Sequence, residues 1–150
     1  MVREGPVDAV VVGMHFDFDY AGLERATRAV GAGARLLATG DDPTYPTSTG
    51  PRPGTGAILA AVETATGIRA TLAGKPHPAM ATLVRDRLGT DAVMIGNRPD
   101  SDSQLALALG YRFGLVLTGV TTTAVALEPH PDFVGEDLTA LVDQVLGARG

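Results

Sequence analysis

The chain reads as an α/β protein built on parallel strands joined by crossover helices. Short aliphatic and β-branched runs alternate with segments whose apolar residues recur at helical spacing. Glycine, proline and aspartate punctuate the boundaries between them. The length suits one domain's worth of core: 150 residues, 45% of them hydrophobic.

Each element has its own signal. Val7–Gly13 is nearly all apolar without alternation, which predicts a strand buried on both faces. Asp19 can cap a helix from Tyr20 to about Ala32, with Tyr20, Leu23, Ala26, Thr27 and Val30 on one face. Arg35–Thr39 reads as the next strand, followed by a proline- and glycine-rich loop from Gly40 to Gly54. Ile58, Ala61, Val62 and Ala65 mark a helix that Gly67 ends. Ala70–Ala73 is a short strand running into Gly74-Lys75-Pro76.

Pro78 suits the first turn of a helix carrying Leu83, Val84 and Leu88, with Gly89 as its stop. Ala92–Ile95 is a strand, and Ser101 or Asp100 can cap a helix with Leu105, Ala108 and Leu109 that ends at Gly110. Phe113–Leu117 follows as a strand, then a loop over Thr118–Pro131 and a short last strand at Asp132–Val134. Asp137 opens a final helix using Leu138, Leu141, Val142 and Val145. A subdomain boundary falls near Leu72, dividing the chain into 1–72 and 73–150.

Composition excludes several classes. Without cysteine there are no disulfides, thiolate metal sites or cysteine nucleophiles. The first apolar run is too short to span a bilayer, carries Asp8, and lacks the flanks of a signal peptide. The basic residues are scattered, the net charge is −5 and aromatics are few, so neither nucleic acid nor a membrane is expected as a partner. The expected compartment is cytoplasmic.

Two stretches carry chemistry. Lys75 sits where an apolar strand meets a helix, at the carboxyl edge where α/β sheets bind ligands. A lysine there can hold a phosphate or neutralise carboxylates, and its plain alternative is a solvated loop lysine. Gly96-Asn97-Arg98-Pro99-Asp100-Ser101-Asp102 follows another apolar strand and offers hard oxygen donors suited to Mg²⁺. The plain alternative here is that Asp100, Ser101 and Asp102 cap the next helix. Thr55 and Gly56 open a helix without the Gly-Lys-Ser/Thr of a phosphate loop and read as structural. His15, His77 and His130 lack metal-ligand spacing, so zinc is not expected, and His77 is read as a helix-entry residue. Asp41-Asp42 beside Pro43 reads as a solvated turn. No Gly-x-Ser-x-Gly elbow supports a serine hydrolase.

In order and spacing these pieces resemble the haloacid dehalogenase (HAD) superfamily, and within it the subfamily IIA phosphatases. Those include p-nitrophenylphosphatase-like, N-acetylglucosamine-phosphate phosphatase-like and phosphoglycolate phosphatase-like proteins. Val7–Gly13, Phe18-Asp19-Tyr20 and Leu23 resemble part of that subfamily's α/β cap. Ala38-Thr39-Gly40-Asp41-Asp42-Pro43-Thr44-Tyr45-Pro46 resembles its Ala-Thr-Asn-x-Asp-x-x-x-Pro stretch. Gly54 to Ala61 resembles the glycine-led cap helix, and Gly74-Lys75-Pro76 the Gly-Lys-Pro that carries the family's lysine. Gly96 to Asp102 resembles Gly-Asp-x-x-x-Thr-Asp, and Leu117-Thr118-Gly119-Val120 the strand end after it.

The resemblance implies a HAD-like Rossmannoid parallel sheet, in its C-terminal half, with part of an α/β cap. It implies a Mg²⁺-dependent phosphomonoesterase in which Lys75 stabilises the phosphate and the nucleophile. Asn97 and Asp102 would serve the metal. Two departures stand out. The family's nucleophile motif, Asp-x-Asp-x-Thr, does not occur in these 150 residues, and Asn97 stands where an aspartate is usual. The expectation is an N-terminally truncated relative without turnover on its own. A phosphorylated small molecule is the expected ligand, and a homo-oligomer or a complementing chain would cover exposed strand edges. The alternative is a non-catalytic HAD-like module that binds a phosphorylated ligand or a protein partner; an unrelated flavodoxin-like domain fits the motif spacing less well.

Overall fold

The computed structural model of the protein describes residues 6–123 and 127–148. The chain falls into two compact units, Met1–Gly74 and Lys75–Gly150. No helix among the described residues is long and apolar enough to cross a membrane.

In the first unit, strands β1 (Ala9–Val12), β2 (Arg35–Ala38) and β5 (Thr71–Leu72) form a parallel sheet in the order β1-β2-β5. Val12 lies opposite Ala38, and Ala38 opposite Leu72. Helices α1 (Tyr20–Gly31) and α2 (Thr55–Thr66) pack against it. Their shared core is Val12, Val30, Leu36, Ala38, Leu59 and Val62. Asp19 caps α1 as its sequence position predicts, accepting the Gly22 N–H at 2.6 Å. Gly67 ends α2 in the left-handed region at φ 68°.

Two expectations for this unit are corrected. The first strand is not buried on both faces, because Val11 is 63% exposed. It is an edge strand, and the core takes the side carrying Val10 and Val12. The 40–54 segment is not a plain loop either. It holds a small antiparallel hairpin, β3 (Thr44–Tyr45) against β4 (Arg52–Pro53). Its turn closes through reciprocal Thr47 and Gly50 backbone bonds of 3.1 Å, with Gly50 at φ 114°. Two-residue strands are too short to show a periodicity.

The reading of Thr55 and Gly56 as structural holds. Thr55 is buried, and a β-carbon on Gly56 would collide with the Asp41 carbonyl oxygen. The Gly56 N–H donates to Asp42 O at 2.8 Å, so the glycine-led start of α2 is needed for backbone contact.

One titration follows from this unit. Glu63 accepts the Ala70 N–H at 2.9 Å and pairs with Arg69 at 2.6 Å. The Ala70 hydrogen bond, then Arg69, hold its carboxyl below the usual glutamate range despite partial burial. A depressed folded pKa adds stability above the unfolded value and loses it as pH falls through the folded one. Between pH about 5 and 3, wild type should lose stability more steeply than Glu63→Gln in acid-titrated chemical denaturation; parallel curves would refute the assignment.

The second unit repeats the logic. Strands β6 (Val93–Gly96), β7 (Arg112–Val116) and β8 (Phe133–Gly135) form a parallel sheet in that order, with Gly96 opposite Leu115 and Val116 opposite Gly135. Helices α3 (Pro78–Leu88) and α4 (Gln104–Leu109) gather Ala81, Leu105, Ala106 and Leu109 against Tyr111, Phe113 and Leu115. Helix α5 (Leu138–Gly147) is capped by Asp137, which accepts the Ala140 N–H at 2.8 Å. The Thr118–Pro131 loop lies partly outside the described residues, at 124–126.

Period-two alternation along β7 puts Phe113 and Leu115 on one face and Gly114 on the other. Leu141 of α5, fully buried, fills the space over Gly114 and Gly135. A β-carbon at 114 would sit 2.8 Å from Leu141 Cδ2. Leu141→Ala should therefore cost about 3 kcal/mol in urea unfolding, the usual scale for an uncollapsed leucine cavity. A loss within about 0.5 kcal/mol would show that the α5 face is not closely packed.

A third correction concerns the segment before α4. Neither Asp100 nor Ser101 is its cap. Residues Pro99–Ser103 form a π-helical turn that leads into α4, with Ser103 at the N-cap position and no side-chain cap bond. Buried Ser103 instead donates to Pro99 O at 2.5 Å. Such turns bulge the chain and are frequent where a site is built.

Candidate active site

The carboxyl ends of β6 and β7 hold the polar cluster. Asp102, brought round by the π-helical turn, is 3% exposed. A buried polar side chain needs hydrogen-bond partners, and Asp102 has three. Its Oδ1 accepts from Lys75 Nζ at 2.5 Å, and its Oδ2 accepts the Asn97 N–H at 3.1 Å and the Arg98 N–H at 3.0 Å. The Asp102 N–H returns to Arg98 O at 2.7 Å, which closes the turn on itself. Asp102 thus ties the 96–102 loop to the lysine.

Gly96 is what lets it approach. A β-carbon there would overlap the Asp102 carboxylate, with Cβ 2.6 Å away. The lysine is differently placed: its side chain is 43% exposed against 4% for Asp102. One end of the pair is anchored, and the ammonium keeps donors free for a ligand arriving from solvent.

The sequence picked out Lys75, Asn97 and Asp102, and all three come together in this unit. Lys75 was expected at the edge of the strand preceding it. That strand, β5, belongs to the sheet of the first unit, and the lysine's partner is the loop after β6. Asp100 is exposed on the π-helical turn. His77 occupies the N-cap position of α3, and His130 Nδ1 lies 2.8 Å from Pro131 O. What the sequence reading missed are the glycines. Gly96 and Gly119 make room for Asp102 and Asn97, and glycine is too common in this chain to signal that.

The donor set can be tested against a divalent cation. Among the described residues, no three His, Cys, Asp or Glu side chains group as a metal site. Both Asp102 oxygens already accept hydrogen bonds, which suits support from behind. Asn97 supplies one neutral amide oxygen. Hard cations such as Mg²⁺ are satisfied by few protein oxygens together with water and phosphate, so Asn97 fits as a contacting donor with Asp102 behind it.

Residues 72–141 match the HAD-hydrolase-like family model. The chain is 41% identical over 139 residues to D-glycerol 3-phosphate phosphatase of Mycobacterium tuberculosis, covering 89% of this chain and 39% of that protein. Among solved structures, 4-nitrophenylphosphatase of Thermotoga maritima superposes with a TM-score of 0.85 at 34% identity, covering 95% of this chain and 57% of that one. The glycerol phosphate phosphatase of Mycobacterium tuberculosis, solved with magnesium, gives 0.78 at 41% identity, covering 89% of this chain and 42% of that one. The same enzyme has been solved with calcium. The chain spans roughly half the length of these relatives or less.

Proposed function

We propose, on the premise that this chain belongs to the haloacid dehalogenase-like hydrolases, that it forms the phosphate-holding part of a Mg²⁺-dependent phosphomonoester hydrolase. The observation that carries this is the Lys75–Asp102 pair, an exposed ammonium fixed by a buried carboxylate beside the carboxyl edge of a parallel sheet. Phosphoryl transfer depends on holding the phosphoryl group and offsetting charge on its oxygens. Lys75 does both. The loop N–H groups of Asn97 and Arg98 are already taken by Asp102, so in this reading the contact to the phosphate falls to Lys75. A metal ion held at Asn97 would neutralise phosphoryl oxygens.

In this reading, residues 73–150 are the C-terminal half of the catalytic core and residues 1–72 part of a cap. The substrate is a small phosphomonoester. The attacking carboxylate and its acid/base partner come from further polypeptide, whether in the same chain or a complementing one. The 150-residue chain alone should not hydrolyse p-nitrophenyl phosphate with MgCl₂. Adding a polypeptide that carries Asp-x-Asp-x-Thr from a relative should restore turnover, and Lys75→Met should abolish it. Failure of the paired chains to turn over, with folding of both verified, would leave a binding module instead.

A further inference from the structure

Asn97 is the first residue after β6, and Gly119 lies in the loop that follows β7, the strand paired with it. The two loops leave adjacent parallel strands side by side. The Asn97 side chain occupies the space beside the Gly119 α-carbon where a β-carbon would stand. A β-carbon on residue 119 would overlap Asn97 Nδ2 and stand only 2.8 Å from Asn97 Cβ, where ordinary contacts begin near 3.4 Å.

The reason for glycine here is volume. Gly67, Gly89 and Gly110 have φ between 68° and 75°, a backbone that side-chain-bearing residues rarely adopt. Gly119 is not among the positive-φ glycines, so its backbone would accept alanine. The three nearest atoms that a β-carbon there would meet all belong to the Asn97 side chain. We propose that Gly119 is a positioning residue for Asn97: its bare α-carbon forms the wall that fixes how the amide is presented at the edge of β6 and β7. The functional weight of this rests on the reading of residue 97 as ligand-facing, while the packing relation stands independently.

A mutant cycle separates the two. Gly119→Ala should lower Tm by roughly 2–5 °C, the lower end of overpacking, because Gly119 sits in an exposed loop that can partly yield. In the Asn97→Gly background the same change should cost less than half as much, because the amide and the β-carbon of residue 97 have both gone. In ¹⁵N-labelled protein, Gly119→Ala should also move the Asn97 side-chain NH₂ resonances, which a remote loss of stability would leave in place. If Gly119→Ala does not fold, the double variant Asn97→Gly/Gly119→Ala still decides, since removal of every atom the new β-carbon meets on residue 97 predicts that it folds. Additive Tm losses, unmoved Asn97 side-chain signals, or a double variant as unfolded as the single one would overturn the proposal.

Titration with MgCl₂, followed at the Asn97 side chain, tests the functional half. Disturbing a residue that orients a metal-facing group weakens binding by about 10- to 100-fold, and Gly119→Ala should do the same. Absence of any response in wild type would overturn the ligand-facing reading of Asn97 and leave the cycle to judge the packing.

Discussion

Asp102→Ala is expected to destabilise the second unit by about 2–4 kcal/mol and to abolish phosphate binding at Lys75. The size follows from what is stranded. Two backbone N–H groups, of Asn97 and Arg98, lose their acceptor, and each partly buried donor left unsatisfied costs about 1–3 kcal/mol. The ammonium of Lys75 loses its anchor but, being 43% exposed, is readily hydrated, so little of the penalty comes from it. Asp102→Asn distinguishes the two jobs. Its amide oxygen can still accept the loop N–H groups, whereas its NH₂ would face Lys75 donor to donor. Stability should fall by less than in the alanine variant, while phosphate affinity falls as far. Equal stability losses in urea unfolding for the two variants would contradict this division of labour.

Lys75→Met is the second large effect. Stability should fall by about 1–3 kcal/mol, because Asp102 keeps both backbone donors but, being buried, loses its one cationic partner. Affinity for inorganic phosphate should drop on the order of a hundredfold, the range of a lost charge-assisted contact to an anion. Lys75→Arg should recover little of that. The guanidinium is a planar fork, and the site holds its cation as a compact point charge against one carboxylate oxygen. Isothermal titration with phosphate measures all three proteins; full affinity in Lys75→Met would remove the lysine from the site.

Much of this was legible in the sequence because the signals were local. Asp19, Asp137, Gly67 and Gly110 sit where capping chemistry requires them, and each terminates or opens its helix as expected. The α/β class followed from alternating periodicities, and the structural neighbours are HAD-fold phosphatases. What was misread depended on neighbours distant in sequence. Val11 reads as buried until β1 is seen at a sheet edge. The hairpin at 44–53 is held by a turn and an aromatic contact, Phe16 against Tyr45 at 6.5 Å, that no window over either strand contains.

The site was legible in the same uneven way. Lys75, Asn97 and Asp102 stood out as polar residues after apolar strands. Their roles did not, because an aspartate after a strand looks alike whether it caps a helix, ligates a metal or clasps a lysine. The π-helical turn decided it, rotating Asp102 inward to Lys75 and leaving Asp100 exposed.

The central claim is that Lys75 and the 96–102 loop hold a phosphoryl group. An amide NMR titration of the ¹⁵N-labelled chain with inorganic phosphate in the presence of MgCl₂ tests it most directly. Saturable shifts should centre on residues 74–77 and 96–103 in wild type and vanish in Lys75→Met. Saturation without shifts at these residues, or the same shifts in Lys75→Met, would contradict the claim.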